Sequence, residues 1–186
     1  MFRTMLAVIS FTSLVFAQDQ AQDATAATFA AAGCGPNEVQ FEVKTDKKQH
    51  PLPQPEPGKA MVYVYQDDAS AFCIGGCITT RVGLDGAWVG ANQGRSYLFF
   101  SVAPGDHRVC SAWQSSLKGR SQTGAAVTLT AEAGKVYYIR TTLIGKDGFK
   151  LKLIDSANGP LQILPLAYST SQAKKKPAPY QPADSD

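Results

Sequence analysis

The chain has 186 residues, 18 basic and 15 acidic side chains, a formal net charge of +3 and a hydrophobic content of 44%. That length fits one domain with tails, and a charge so near neutral gives no reason to expect nucleic acid or an acidic surface as partner.

Met1 to Ala17 combine an early positive charge at Arg3, a moderately apolar run from Met5 to Phe16, and Val15-Phe16-Ala17 ahead of Gln18-Asp19-Gln20. This is the pattern of a secretory signal peptide, and the run is too short to span a membrane. Cleavage after Ala17 is expected, with the mature chain secreted or periplasmic and lacking a transmembrane helix. The competing reading, a buried or tail helix, has no polar face or cap to support it. Ala31-Ala32-Gly33-Cys34 resembles a lipid-attachment box, but Gln18 to Thr28 separates Cys34 from the apolar run, so lipidation is not expected.

An exported chain with four cysteines favours disulfides. Three pairings exist, and the sequence alone does not choose among them. Ile74-Gly75-Gly76 can turn tightly between Cys73 and Cys77, which favours that pair and leaves Cys34 to pin the amino-terminal segment to Cys110. The bridge closing the longer loop gains more from chain entropy.

Gln18 to Ala32 reads as a disordered spacer of Ala, Gln, Asp and Thr. Val39 to Val43 alternates apolar and polar residues, the signature of a half-buried strand or an extended segment lying on the domain, with Cys34 as its anchor. Gln49 to Gly58 holds four prolines and reads as a polyproline II linker, after which the globular domain begins. Lys59 to Tyr65 is a strand apolar on both faces, hence central. Gln66 to Thr80 is a loop carrying Cys73 and Cys77.

Asp85-Gly86 supplies the positive φ angles of a two-residue type I′ turn, so Arg81 to Leu84 and Ala87 to Ala91 form a hairpin. Regular pairing would place Val82, Leu84, Ala87, Val89 and Ala91 on the core face and Arg81, Gly83, Trp88 and Gly90 on the other, with Trp88 over Gly83. Ser96 to Val102 and Asp106 to Ala112 form the next pair, joined by Ala103-Pro104-Gly105. The first of these is apolar on both faces and belongs near the middle of a sheet.

Leu117 to Gly124 is a polar loop. Ala125 to Thr130 and Lys135 to Ile144 are strands connected by Ala131 to Gly134. Asp147-Gly148 turns into Phe149 to Ile154, whose alternation with Lys150 and Lys152 marks an outer strand with one wet face. Asn158-Gly159-Pro160 breaks the chain, Leu161 to Leu166 adds a short strand, and Ser169 to Asp186 is tail, where Lys174-Lys175-Lys176 reads as a solvated charge run. About eight strands with turns between them predict an all-β fold, an antiparallel β-sandwich with disordered termini. The expected divisions are a signal peptide over 1–17, a spacer with a Cys-anchored segment and Pro-rich linker over 18–57, the sandwich over 58–168 and a tail over 169–186.

Gly58-Lys-Ala-Met-Val-Tyr-Val64, GANQGRSY at Gly90 to Tyr97, PGDHRVCSAWQS at Pro104 to Ser115 and AEAGKVYY at Ala131 to Tyr138 together resemble the bacterial domain-of-unknown-function 2846 family. The resemblance spans about Pro57 to Ile154. A DG hairpin with a PGxH turn is also similar, more generically, to PEGA-type and transthyretin-like modules. The first resemblance implies an exported or membrane-anchored β domain with no assigned activity, so it supplies no catalytic residue, and fold analogy does not license a function.

The histidines are His50, in the proline segment, and His107, in the PGDH turn. Ser-His-Asp chemistry would need His107, and no G-x-S-x-G pattern accompanies it, so no catalytic residue and no cofactor are assigned. His107 reads instead as a turn residue bonded locally. Zinc held by Cys73, Cys77, His107 and Cys110 is the sharpest metal reading, because C-x3-C with H-x2-C is a Cys3His set. Against it, residues three apart on a strand point to opposite faces, and export favours disulfides.

Trp88, Asn92, Arg95, Trp113 and Gln114 combine aromatic faces with amide and guanidinium donors in or beside turns, the mixture of a ligand-binding surface. The plainer alternative has Trp88 and Trp113 filling a second small core. The sequence therefore reads as an exported, non-catalytic binding or accessory module, envelope-associated, with a protein or envelope ligand. The alternatives are a zinc-binding domain or enzyme, and a structural spacer.

Overall fold

A computed structural model describes residues 27–28, 34–67, 78–114, 123–144 and 148–174. Eleven strands, β1 (Ala27–Thr28), β2 (Phe41–Asp46), β3 (Ala60–Gln66), β4 (Thr79–Leu84), β5 (Ala87–Gln93), β6 (Ser96–Val102), β7 (Gly105–Gln114), β8 (Thr123–Ala131), β9 (Val136–Ile144), β10 (Gly148–Ile154) and β11 (Ala167–Ala173), form two sheets. One is ordered β10-β9-β3-β6-β11-β2, the other β1-β8-β7-β4-β5. They pack face to face as a sandwich. Val62, Val64, Leu98, Ile139 and Leu151 from the larger sheet meet Val82, Val109, Val127 and Leu129 from the smaller.

The strands apolar on both faces, β3 and β6, sit inside the larger sheet, and every side chain of β3 is buried. The alternating β10 lies at its edge. Asp85 (φ 51°) and Gly86 (φ 87°) make the expected type I′ turn.

Regular pairing stops one step beyond that turn. Leu84 faces Ala87 and Gly83 faces Trp88, but Val82 faces Gly90 and Arg81 faces Ala91, so Val89 is an inserted bulge residue. The bulge corrects the predicted faces: Val89 is 40% exposed, Gly90 joins Val82 on the core side, and Ala91 joins Arg81. Gly90 tolerates the core side because Leu98 and Ser171 occupy the space its side chain would fill.

The sandwich is not wholly antiparallel. β3 pairs in parallel with β9, and β6 with β11 over Ala167 and Tyr168. Both parallel neighbours are reached after the chain has passed through other strands, which is what parallel pairing requires.

Leu161 to Leu166, expected as a strand, instead begins in a short helix, α1 (Gly159–Ile163). Pro160 stands in its first turn, where proline lacks only a donor that would be free anyway, and Ile163 and Leu166 turn inward. Residues 167–173, mostly read as tail, are β11, inside the larger sheet. Its hydroxyls are tolerated there because they bond the facing edge strand: Ser169 Oγ donates to the Ala91 carbonyl (3.2 Å), and Ser171 Oγ accepts from the Ala91 amide (2.9 Å). Within the expected spacer, Ala27–Thr28 pairs with Thr123–Gly124. The signal-peptide segment, Cys73, Cys77 and the carboxy-terminal end of the tail lie outside the described residues. No helix among the described residues is long and apolar enough to cross a membrane.

Candidate functional site

Two extended segments lie on the outer faces of the sheets. The first, an amino-terminal strap from Cys34 to Gln40, crosses the smaller sheet. Cys34 and Cys110 stand at disulfide distance (Cα–Cα 5.7 Å), joining positions 76 residues apart. They are buried against Trp88 and Ala126. Gly83 makes this possible, since a Cβ there would lie 2.5 Å from the Cys34 carbonyl oxygen and 2.8 Å from Cys110 Sγ. The Trp88 indole N–H donates to the Pro36 carbonyl at 2.7 Å.

Arg81, 1% exposed, holds the same strap from below. Its Nη1 donates to the carbonyls of Asn37 and Val39, both at 2.8 Å, and Nη2 reaches the Trp113 carbonyl at 3.3 Å. The guanidinium also lies 4.5 Å from the Trp88 ring centre. Burial pushes its pKa down to about 10, leaving it charged at neutral pH. The Gln114 amide completes the clamp, accepting from the Phe41 amide (2.7 Å) and donating to the Phe41 carbonyl (2.8 Å). Trp88 thus holds the chain's own strap, and Gln114 fixes Phe41, where the strap runs into β2.

Asn92 and Trp113 point the other way. Asn92 is buried and donates to the Val64 carbonyl at 3.0 Å, beside a Thr80–Gln66 hydrogen bond of 2.7 Å. Trp113 packs on the main core. The five predicted binding residues therefore do not converge. Two clamp the strap, two fill the interior, and Arg95 alone is exposed, in the turn between β5 and β6.

His107 joins two turns. Its Nδ1 lies 2.7 Å from Asp85 Oδ2 and its Nε2 2.8 Å from the Ala103 carbonyl, while Asp85 Oδ1 accepts from the Arg108 amide at 2.8 Å. Both ring nitrogens face acceptors, so both donate in the imidazolium form. The Asp85 hydrogen bond raises the His107 pKa, and the same bond lowers that of Asp85. In that form the ring has no lone pair for general-base work or metal ligation, and in the neutral form one nitrogen would face an acceptor that it cannot serve. The zinc reading fails on the same geometry: the Cys110 sulfur faces Cys34 on the outer side of β7, and His107, an odd number of residues away, lies on the opposite side. Among the described residues no three His, Cys, Asp or Glu side chains gather as a metal site.

The second segment, from Lys47 to Gly58, contains the proline-rich stretch Gln49 to Gly58 read as a linker. It lies on the outer face of the larger sheet, over an aromatic layer in which Tyr63 stacks on Tyr138 (5.3 Å) and Phe99 on Tyr168 (5.4 Å). Tyr97 and Tyr63 donate their hydroxyls to the carbonyls of Pro51 and Pro53, each at 3.1 Å. Burial raises both phenols, Tyr97 to about 12, so they remain donors at any ordinary pH. Beside this segment α1 docks by Ile163 and by a hydrogen bond between Tyr65 and Gln162. A groove of about 290 Å³ opens here, lined by Lys47, His50, Arg95 and the run from Leu164 to Ala167. Lys47 and His50 were not singled out by sequence reasoning, because no local pattern ties them to Arg95.

The family described as "Protein of unknown function (DUF2846)" matches residues 56–149, which run from the end of the proline segment into β10. No curated protein and no solved structure matches the chain. With half of its length matched, including strands from both sheets, the chain belongs to the DUF2846 family.

Proposed function

We propose that this protein is an exported, non-catalytic binding or accessory module of the cell envelope, a β-sandwich that carries a recognition surface and works in an oxidising compartment. The observation that carries the reading is the Cys34–Cys110 pair, buried at 0% and 1% exposure and joining 76 residues. A bridge of that span is kept where disulfides persist, and it favours the signal-peptide reading of Met1 to Ala17. Three of the polar side chains that could serve chemistry are already engaged: His107 between two acceptors, Arg81 on carbonyls, Gln114 on Phe41. The groove beside Arg95 is the surface this reading assigns to recognition.

The test is the intact mass of the protein recovered from its native host, alkylated without reductant. A chain beginning at Gln18, with Cys34 and Cys110 unalkylated, supports the reading. A chain retaining Met1 with both thiols alkylated overturns it.

A further inference from the structure

The net charge of +3 conceals a local grouping. Lys47, His50 and Arg95 come from two distant parts of the chain and surround one groove, with no carboxylate in its lining. None of the three is ion-paired among the described residues, and His50 Nε2 lies 2.9 Å from the Lys47 carbonyl, which fixes the ring at the groove. The acidic groups on neighbouring segments lie at the surface but are bonded to local partners, and Asp46 also interacts electrostatically with His50. Asp46 Oδ1 accepts from the amides of Lys48 (2.7 Å) and Gln49 (3.2 Å), Glu56 is paired with Lys59 (2.6 Å), and Asp155 is bonded to Asn158.

The same face carries apolar side chains that the fold leaves outside. Four large hydrophobic residues are exposed among the described residues, and three of them, Leu52 (42%), Leu161 (67%) and Leu164 (50%), lie on the proline segment and on α1 with its C-cap, the two elements covering the larger sheet. The fourth, Val89, is the bulge residue of the smaller sheet. Leu164 also lines the cationic groove. These supports are firm, fixed by the tyrosine hydroxyls to Pro51, Pro53 and Gln162.

Projecting leucines beside the Lys47 and Arg95 cations are the two components of interfacial membrane binding: apolar tips enter the headgroup boundary while basic groups meet anionic phosphates. An isolated soluble anion would use the cations and leave Leu161 and Leu164 without a role. We propose that this face docks on a bilayer surface bearing anionic phospholipid headgroups, with a lipid phosphate in the groove between Lys47, His50 and Arg95 and with Leu161 and Leu164 at the acyl boundary. The proposal rests on the binding-module reading and names the surface it recognises.

The test is co-sedimentation of the full chain with vesicles of phosphatidylcholine, with and without added phosphatidylglycerol, at low and high salt. Lys47→Gln with Arg95→Gln is expected to weaken partitioning onto the anionic vesicles by about thirtyfold, roughly a factor of five for each cation. Leu161→Ser with Leu164→Ser should weaken it comparably. Val89→Ser with Arg108→Glu, on the smaller sheet, should leave it unchanged. The amino-terminal apolar run is common to all variants, so its own membrane affinity cancels, and thermal unfolding of each variant shows whether its fold is retained.

Folded groove and leucine variants that partition like the parent overturn the proposal. So does binding that is indifferent to phosphatidylglycerol. Saturable binding of inorganic phosphate, lost in Lys47→Gln with Arg95→Gln while vesicles are ignored, makes the groove a soluble-anion site and overturns docking. A protein oxidised at Cys34 and Cys110 that ignores vesicles keeps the exported-module reading and loses this one.

Discussion

Gly83→Ala adds one methyl group at the point where the amino-terminal strap meets the smaller sheet. The new Cβ would stand 2.5 Å from the Cys34 carbonyl oxygen, 2.8 Å from Cys110 Sγ and 3.3 Å from the Ala87 carbonyl oxygen. Two of these are backbone atoms on segments held by other bonds, so no side-chain rotation relieves the clash. Overpacking of this kind costs about 1–3 kcal/mol, and about 2 kcal/mol is expected in the oxidised protein. Reduction changes the result in a defined way. A crosslink spanning 76 residues contributes on the order of 4.5 kcal/mol through chain entropy, so the reduced parent is less stable, but its strap is free to lift from residue 83. The alanine penalty should then fall by more than about 1 kcal/mol, the coupling expected of groups in contact. Urea unfolding of parent and variant, each with and without reductant, measures all four stabilities. A penalty within about 0.5 kcal/mol of zero in the oxidised state, or one unchanged by reduction, refutes the argument.

Two further outcomes follow from the buried polar groups. Arg81→Met removes the donor serving the carbonyls of Asn37, Val39 and Trp113, and leaving those acceptors unmet should cost about 3–5 kcal/mol in urea unfolding. Arg81→Lys should recover less than half, because an ammonium cannot reproduce the fork; near-parent stability of Arg81→Met would refute the clamp. For the His107–Asp85 pair, the raised histidine contributes fully below its ordinary value of 6.5 and loses that contribution as pH rises through its folded value. The lowered carboxylate contributes above 3.8 and loses that contribution as pH falls through its folded value. The stability difference between parent and His107→Ala should therefore be largest between those two values and shrink on the alkaline side. With Asp85 half exposed to solvent, its pH-dependent part stays within about 1 kcal/mol. A difference that instead grew above pH 7 would refute the assignment.

Features set by neighbouring residues were legible in the sequence. Asp85-Gly86 specifies its turn by backbone chemistry, and the two-sided apolar content of β3 and β6 places both inside a sheet. The bulge at Val89 was not legible, because the choice between Val89 and Gly90 for the core side depends on Leu98 and Ser171 from other strands. β11 was missed for a related reason. Ser169 and Ser171 look like tail residues until Ala91 supplies their partners. The five residues of the predicted binding set do not converge because they were grouped by chemical type, whereas the bulge and the alternation of β7 send them to different faces. Arg81 did leave a signal, a cation in an apolar strand beside Gly83. Lys47 and His50 left none, since only tertiary folding brings them to Arg95.

A strand apolar on both faces needs cover on both, and the two sheets obtain it differently. Over the larger sheet the cover is broad: prolines and α1 lie on a continuous layer of Tyr63, Tyr97, Phe99, Tyr138 and Tyr168, whose packing area is joined by single tyrosine hydroxyl bonds. Over the smaller sheet, among the described residues, the apolar contact is Trp88, Ala126 and the two cysteines, too little to fix an extended segment against its conformational entropy. That cover is consequently fastened by groups stronger than packing: a covalent link, a buried guanidinium and a paired amide. The redox state of the protein thus acts on the smaller sheet's cover. Among the described residues the aromatic layer and the groove beside Arg95, on the opposite side, contain no cysteine, so the cover of the larger sheet does not depend on the bridge.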